Sequence, residues 1–255
     1  PRKRFGQHFL TDPGVIQAIV DEISPGPGDV MVEIGPGPGA ITRPLAARAA
    51  HLHAIELDRD LVAALESEFG GNENVTIHAA DALHFDFASL GSTLRIVGNL
   101  PYNISTPLLF HLLEYREHIV DMHFMLQKEV VDRMAAVPGT KAYGRLTIML
   151  GCYMDIDALF DVGPEAFTPP PAVVSAIVRL RPQAHPFEPV DERTLSRLLA
   201  AAFSKRRKTM RNALRNETDE NDLLAVGIDP SLRPEQVSVS AWVALSNRMA
   251  TAPRA

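Results

Sequence analysis

The sequence predicts an α/β protein: a mostly parallel sheet of seven strands, followed by a small all-helical domain. Three observations carry that expectation. Short apolar runs alternate with helix-length segments from residue 29 to residue 126, a glycine-rich turn follows the first run, and beyond residue 186 the pattern is helical alone.

Taken in order, Val30–Ile34, His51–Leu57, Val75–His78, Leu94–Val97 and Met122–Leu126 read as strands. Ile41–Ala50, Leu61–Phe69 and Pro107–Tyr115 lie between them and suit helices. Strand–helix alternation implies parallel strands covered on both faces. Leu146–Phe160 and Val173–Leu180 flank a Pro-rich stretch, Phe167-Thr168-Pro169-Pro170-Pro171, too short to hold a crossover helix. They are expected as two antiparallel strands closing the sheet edge. Prolines at 182 and 186 mark the boundary, giving expected domains 1–181 and 182–255. In the second, Leu195, Leu198, Leu199, Ala202 and Phe203 recur at helical spacing on one apolar face. Gly227 is expected to end the next short helix and Ser240–Met249 to form another, with Trp242 in the core.

The 255 residues are 46% apolar and 22% charged, ordinary for a globular protein. Cys152 is the only cysteine, so no intrachain disulfide can form; a reducing, cytoplasmic location is expected. Its apolar neighbours suit a small buried hydrophobe. No apolar run approaches a membrane span and no signal peptide is expected. Nine histidines without ligand spacing and one cysteine predict no metal site. A monomer is expected.

The net charge of −6 argues superficially against a nucleic-acid partner. Its distribution does not. Residues 1–181 hold 14 Lys/Arg against 22 Asp/Glu, whereas residues 182–255 hold 11 against 9, and 203–215 contain six basic side chains and no acid. Screening confines each surface charge to about 10 Å, so a basic stripe on an acidic protein still binds phosphate locally.

Glu33-Ile34-Gly35-Pro36-Gly37-Pro38-Gly39 follows the first strand and opens a helix. Glycines there allow a sharp turn and close approach of a ligand to the main chain. Glu56 ends the second strand, 21 residues after Gly35, where a carboxylate can accept bonds from ribose hydroxyls. A nicotinamide dinucleotide site shares this pattern. Two details favour S-adenosylmethionine: Pro36 and Pro38 remove N–H donors that would cradle a pyrophosphate, and Glu33 suits a cationic ligand. Asp81, after the third strand, reads equally as an acceptor for an adenine amine and as the cap of a short helix.

Gly98-Asn99-Leu100-Pro101-Tyr102 follows the fourth strand, at the carboxyl edge where open sheets bind ligands. An aryl amine is a weak nucleophile because its lone pair is delocalised into the ring. Accepting both N–H bonds, on the Asn99 side-chain oxygen and the Leu100 carbonyl, favours a more tetrahedral nitrogen with its lone pair aimed at an electrophile. Pro101 fixes the turn that aims the carbonyl. Tyr102 offers a ring for base stacking, worth about 1–3 kcal/mol. The expected chemistry is methyl transfer to the exocyclic amine of an adenine.

These residues, with Arg4-Phe5-Gly6-Gln7-His8-Phe9-Leu10, Asn99–Thr106, Phe167–Pro171 and Phe203-Ser204-Lys205-Arg206-Arg207-Lys208, resemble the ribosomal RNA adenine N6,N6-dimethyltransferase family along nearly the whole chain. The resemblance implies a Rossmann-like class I methyltransferase fold and S-adenosylmethionine as cofactor. It implies cofactor contacts at His8, Leu10, Gly35, Gly37, Glu56, Asp81 and Asn99, and a target base stacked between Tyr102 and Phe167. It also implies a target of two adjacent adenosines near the 3′ end of small-subunit (16S) ribosomal RNA, each dimethylated. Without it, His8 would read as a polar residue of an N-terminal arm and Phe167 as core.

Run as one helix from Leu195 to Arg215, Lys205, Lys208, Arg211 and Arg215 share an arc about 120° wide. Solvated faces usually interleave signs, so an acid-free arc points to phosphate contact. Arg206 falls toward the apolar side and is expected either to find a partner or to break the helix. Three rivals stand beside this reading: a large-subunit RNA methyltransferase conferring antibiotic resistance, a non-catalytic RNA-binding assembly factor, and a nicotinamide-dependent oxidoreductase.

Overall fold

The strands form where the alternating pattern placed them, and their order makes the crevice. The computed structural model describes residues 8–101 and 104–251. Its elements run β1 (Phe9–Leu10), α1 (Pro13–Ile23), β2 (Val30–Ile34), α2 (Thr42–Ala46), β3 (His51–Glu56), α3 (Arg59–Phe69) and β4 (Val75–Ala79). There follow β5 (Leu94–Asn99), α4 (Ser105–Leu113), β6 (Ile119–Gln127), α5 (Lys128–Met134), α6 (Arg145–Gly151), β7 (Met154–Val162), β8 (Phe167–Thr168) and β9 (Ser175–Pro182). The chain closes with α7 (Glu192–Phe203), α8 (Met210–Ala213), α9 (Glu220–Ala225) and α10 (Val239–Thr251).

The seven-stranded sheet has the order β4-β3-β2-β5-β6-β9-β7. Strands β2 to β6 pair in parallel and β9 runs antiparallel to β6. The chain steps outward from β2 to β4, then returns to lay β5 on the other side of β2. That reversal opens a crevice beyond the carboxyl ends of β2 and β5, the place where open α/β sheets take ligands. A second, two-stranded piece pairs β1 with β8 and sets Leu10 opposite Phe167.

Two compact units are present. One comprises 1–131 and 157–182 and holds the sheet; the other comprises 132–156 and 183–255. The second long stretch begins close to the boundary expected at 181–182, but residues 132–156, read from sequence as part of the first domain, group with the helical unit. Leu146–Phe160 is also not one strand. The Gly144 N–H donates to the Thr147 hydroxyl (3.1 Å), which starts a helix over Arg145–Gly151, and only from Met154 does the chain extend.

In the first unit the core joins Leu10, Ile19, Val20, Met31, Leu45, Leu52, Met125 and Phe167. In the second, Leu195, Leu198, Leu199, Met210, Leu214 and Trp242 are fully buried. Cys152 is buried, and burial pushes its thiol up to about 12, so it remains an unreactive hydrophobe.

The single helix expected from Leu195 to Arg215 is interrupted. It stops at Phe203, a turn follows, and α8 begins at Met210. Tertiary partners account for the break. The Arg206 guanidinium donates to the carbonyls of Lys141 (2.8 Å) and Tyr143 (2.9 Å) and lies over the Phe203 ring, 5.7 Å from its centroid. The Met210 and Arg211 N–H groups donate to the carbonyls of Leu232 and Pro230. A continuous helix would forfeit these bonds and set Lys205 beside Lys208, a like-charged pair three residues apart. Lys205 and Lys208 therefore sit in the turn, Arg211 in α8 and Arg215 beyond it, so the four do not share one helical arc. All four are exposed, and Arg211 approaches Glu220 at 3.4 Å.

Candidate active site

The crevice is floored by the turn after β2. Gly35, Gly37 and Gly39 all take positive φ, at 68°, 58° and 83°. At Gly37 a Cβ would also stand 3.3 Å from the Phe9 ring, so glycine there lets the N-terminal arm close against the loop. The Gly35 N–H donates to Ile55 at the end of β3 (2.9 Å), which locks the turn between two strands.

Two carboxylates line the cavity in different states. Glu56 Oε1 accepts the N–H groups of Leu57 and Asp58, both at 2.9 Å, and Oε2 accepts that of Gly37 at 3.3 Å. Burial raises its pKa, and these three bonds pull against the rise. A carboxylate offers about four acceptor positions, so one stays open and the long bond from Gly37 is the weakest of the three. Glu33 is 3% exposed, and its Oε2 has no hydrogen-bond partner among the described residues. Burial, helped by the charge of Glu56, pushes its carboxyl up to about 7.

Asp81 also lines the cavity, but its side chain has local partners. Oδ1 accepts the Leu83 N–H at 3.0 Å and Oδ2 lies 3.0 Å from His84 Nδ1. The capping role of the two readings is thus realised. Asp58, not singled out in the sequence, is buried, caps α3 and borders the same space.

Asn99 stands at the end of β5. Its side-chain N–H donates to the His8 main-chain carbonyl at 3.0 Å, leaving Oδ1 as the acceptor at the cavity wall. His8 is itself tied down, with Nδ1 2.9 Å from the Pro169 carbonyl. Behind Asn99, Gly98 permits a close approach: a Cβ would stand 2.6 Å from the Ile34 carbonyl oxygen and 2.9 Å from Leu100 Cδ2. A glycine inside a strand was the sequence signal for this contact. The Leu100 N–H donates to Met125 (3.2 Å) and the Ile104 N–H to Pro101 (3.2 Å), which fixes the chain on both sides of the turn. Tyr102 lies outside the described residues, as do Arg4–Gln7.

The structure gathers His8, Leu10, Gly35, Gly37, Glu56, Asp81, Asn99, Leu100 and Pro101 around one cavity. It does not bring Phe167 there. That side chain is 3% exposed and belongs to the core with Leu10. Leu57, 54% exposed at the rim, was not anticipated. The described lining includes Glu33, Glu56, Asp58 and Asp81 and no Lys or Arg. Such a wall repels a dinucleotide's pyrophosphate and suits a ligand of net positive charge.

The family profile described as ribosomal RNA adenine dimethylase matches residues 1–251. The chain belongs to that family. It is accordingly a methyltransferase of the ribosomal RNA adenine dimethyltransferase class. It is 56% identical over 256 residues to the ribosomal RNA small subunit methyltransferase A of Aromatoleum aromaticum, covering 100% of this chain and 96% of the relative. The crystal structure of a dimethyladenosine transferase from Plasmodium falciparum superposes with a TM-score of 0.82 at 25% identity, covering 93% of this chain and 96% of that one. The crystal structure of the 23S rRNA methyltransferase ErmE does so with a TM-score of 0.75, also at 25% identity, covering 95% and 100%. One of these solved folds thus carries a 23S name, whereas the high-identity relative carries a small-subunit name.

Among the described residues no helix is long and apolar enough to cross a membrane. Nor do three His, Cys, Asp or Glu side chains gather there as a metal-binding set.

Proposed function

We propose that this enzyme methylates the N6 amines of two adjacent adenosines near the 3′ end of 16S ribosomal RNA in the small subunit, converting each to dimethyladenosine. S-adenosylmethionine, bound in the cavity, supplies the methyl group as an electrophile on a sulfonium. Glu56 accepts a ribose hydroxyl at its open position, Gly35 and Gly37 let the ligand approach the main chain, and Leu10 and Leu57 cover its apolar parts. Glu33 faces the ligand's ammonium. Asp81 keeps its cap while bordering the adenine.

The observation that carries the reading is the fixed Asn99 amide. Its nitrogen is occupied by the His8 carbonyl, so its oxygen is the atom turned to accept an amine N–H. With the Leu100 carbonyl as second acceptor, the target nitrogen presents its lone pair to the methyl. Orientation and electrostatic fit supply the catalysis. No strong base is needed, because the amine proton becomes acidic as the nitrogen is alkylated. Tyr102 serves as the stacking surface, and the exposed Lys205, Lys208, Arg211 and Arg215 contact phosphates.

The test is mass mapping of methylated adenosines after unmodified small and large subunits are each incubated with enzyme and S-adenosylmethionine. Two dimethylated adenosines in the small-subunit RNA alone are expected. Methylation confined to the large subunit would replace this reading with the one suggested by the likeness to the 23S enzyme. RNA left unmethylated in both would favour an assembly factor.

A further inference from the structure

Glu33 and Glu56 line one cavity but are held in opposite ways. Glu56 receives three backbone N–H bonds, which stabilise its ionised form. Glu33 is more deeply buried, and its Oε2 has no partner among the described residues. The Thr42 hydroxyl of α2 and the charge of Glu56, at the end of β3, act on it directly, and Asp58, Asp81 and His8 line the same cavity. Strand β5 contributes the neutral Asn99. Two buried carboxylates in one site with no Lys or Arg in its described lining cannot both ionise cheaply, and the one lacking N–H donors gives way.

We propose that Glu33 is a proton-exchanging counter-group: neutral while the cavity is empty, ionised when the ammonium of the ligand's amino-acid end lies against it, so that cofactor binding expels one proton to solvent. The inference rests on S-adenosylmethionine being the ligand. The balance is simple: the Glu33 O–H bond breaks, the proton passes to buffer, and the new carboxylate is paired by the incoming ammonium. Consistent with this, burial pushes the empty-site carboxyl up to about 7. The device favours a ligand bearing that ammonium over the bare nucleoside, since only the former repays ionisation.

Calorimetry of S-adenosylmethionine binding at pH 6.5, in phosphate and in imidazole, counts the proton from the difference in heats. A group titrating near 7 is roughly three-quarters protonated there, so release of roughly three-quarters of a proton is expected; by pH 8 the release gives way to net uptake, because roughly half of the ligand's own α-amine must then gain a proton to bind as the ammonium. 5′-Methylthioadenosine, which lacks the amino-acid end, is expected to bind without release, and Glu33→Gln is expected to abolish release of the full ligand. Binding with no proton release, or equal release by Glu33→Gln, overturns the proposal while leaving the cofactor reading intact. Failure of the wild-type protein to bind S-adenosylmethionine overturns both. Should Glu33→Gln not bind, carbon-13 spectra of the glutamate carboxyls in the wild type decide. One carboxyl must titrate near 7 in the empty protein and stay ionised with ligand; its absence overturns the proposal.

Discussion

The cavity at the carboxyl ends of β2, β3 and β5 and the basic stretch from Lys205 to Arg215 handle charge by opposite means. In the cavity, carboxylates are buried and fixed by main-chain donors, as at Glu56, and a neutral amide is fixed by a main-chain carbonyl, as at Asn99. In the basic stretch, the cations that remain available are exposed, and the one turned inward, Arg206, is consumed in holding the turn. The first arrangement gives orientation that salt does not screen. The second gives attraction that salt weakens and that needs little geometry. Catalysis should therefore follow the cavity and RNA affinity the basic stretch, with little exchange between them.

The largest test of that division is Asn99→Ala. Methyl transfer at saturating RNA should fall by about 10²–10³-fold, the usual cost of one preorganised polar group at a reacting centre, while RNA affinity stays within twofold of about unchanged. Full activity would remove Asn99 from the centre. Next is Gly98→Ala, whose Cβ would press on the Ile34 carbonyl. Displacement of Asn99 should lower kcat by about 10–100-fold, and urea unfolding should show a loss of about 1–3 kcal/mol. An active, fully stable variant would mean that β2 and β5 can part without consequence.

Arg206→Met comes third. It leaves the Lys141 and Tyr143 carbonyls without the guanidinium and should destabilise the protein by about 1–2 kcal/mol in urea, with kcat on RNA preserved. Loss of RNA affinity without loss of stability would make Arg206 a phosphate contact instead. The smallest effect belongs to Lys205→Ala with Lys208→Ala. RNA affinity should drop a few-fold, and the slope of log affinity against log salt should shrink by about 0.7–0.9 per residue. A fall in kcat at saturating RNA would break the division between the two regions.

Most of the sheet and of the cavity was legible because both are written in local signals. The period of Val30–Ile34 and the run Gly35–Gly39 specify a strand and the turn after it through backbone sterics alone. The same reasoning failed where local and tertiary preferences disagree. Leu195 to Arg215 has a helical period throughout, yet the bonds available to Arg206, Met210 and Arg211 outside the helix outweigh the few helical bonds lost. Leu146–Phe160 was misread because a run of apolar residues does not distinguish a short buried helix from a strand.

By itself the sequence determined the parallel sheet, the glycine turn, the acids at the strand ends and the family. Each depends on neighbours in the chain or on recurring motifs. Only the tertiary structure decided which atoms are spoken for. It ties the Asn99 amide to a carbonyl 91 residues away, fixes Glu56 with three N–H groups while leaving Glu33 Oε2 without one, and packs Phe167 in the core. Those assignments depend on which buried polar groups find partners once the chain has packed, and spacing along the chain carries no record of that competition.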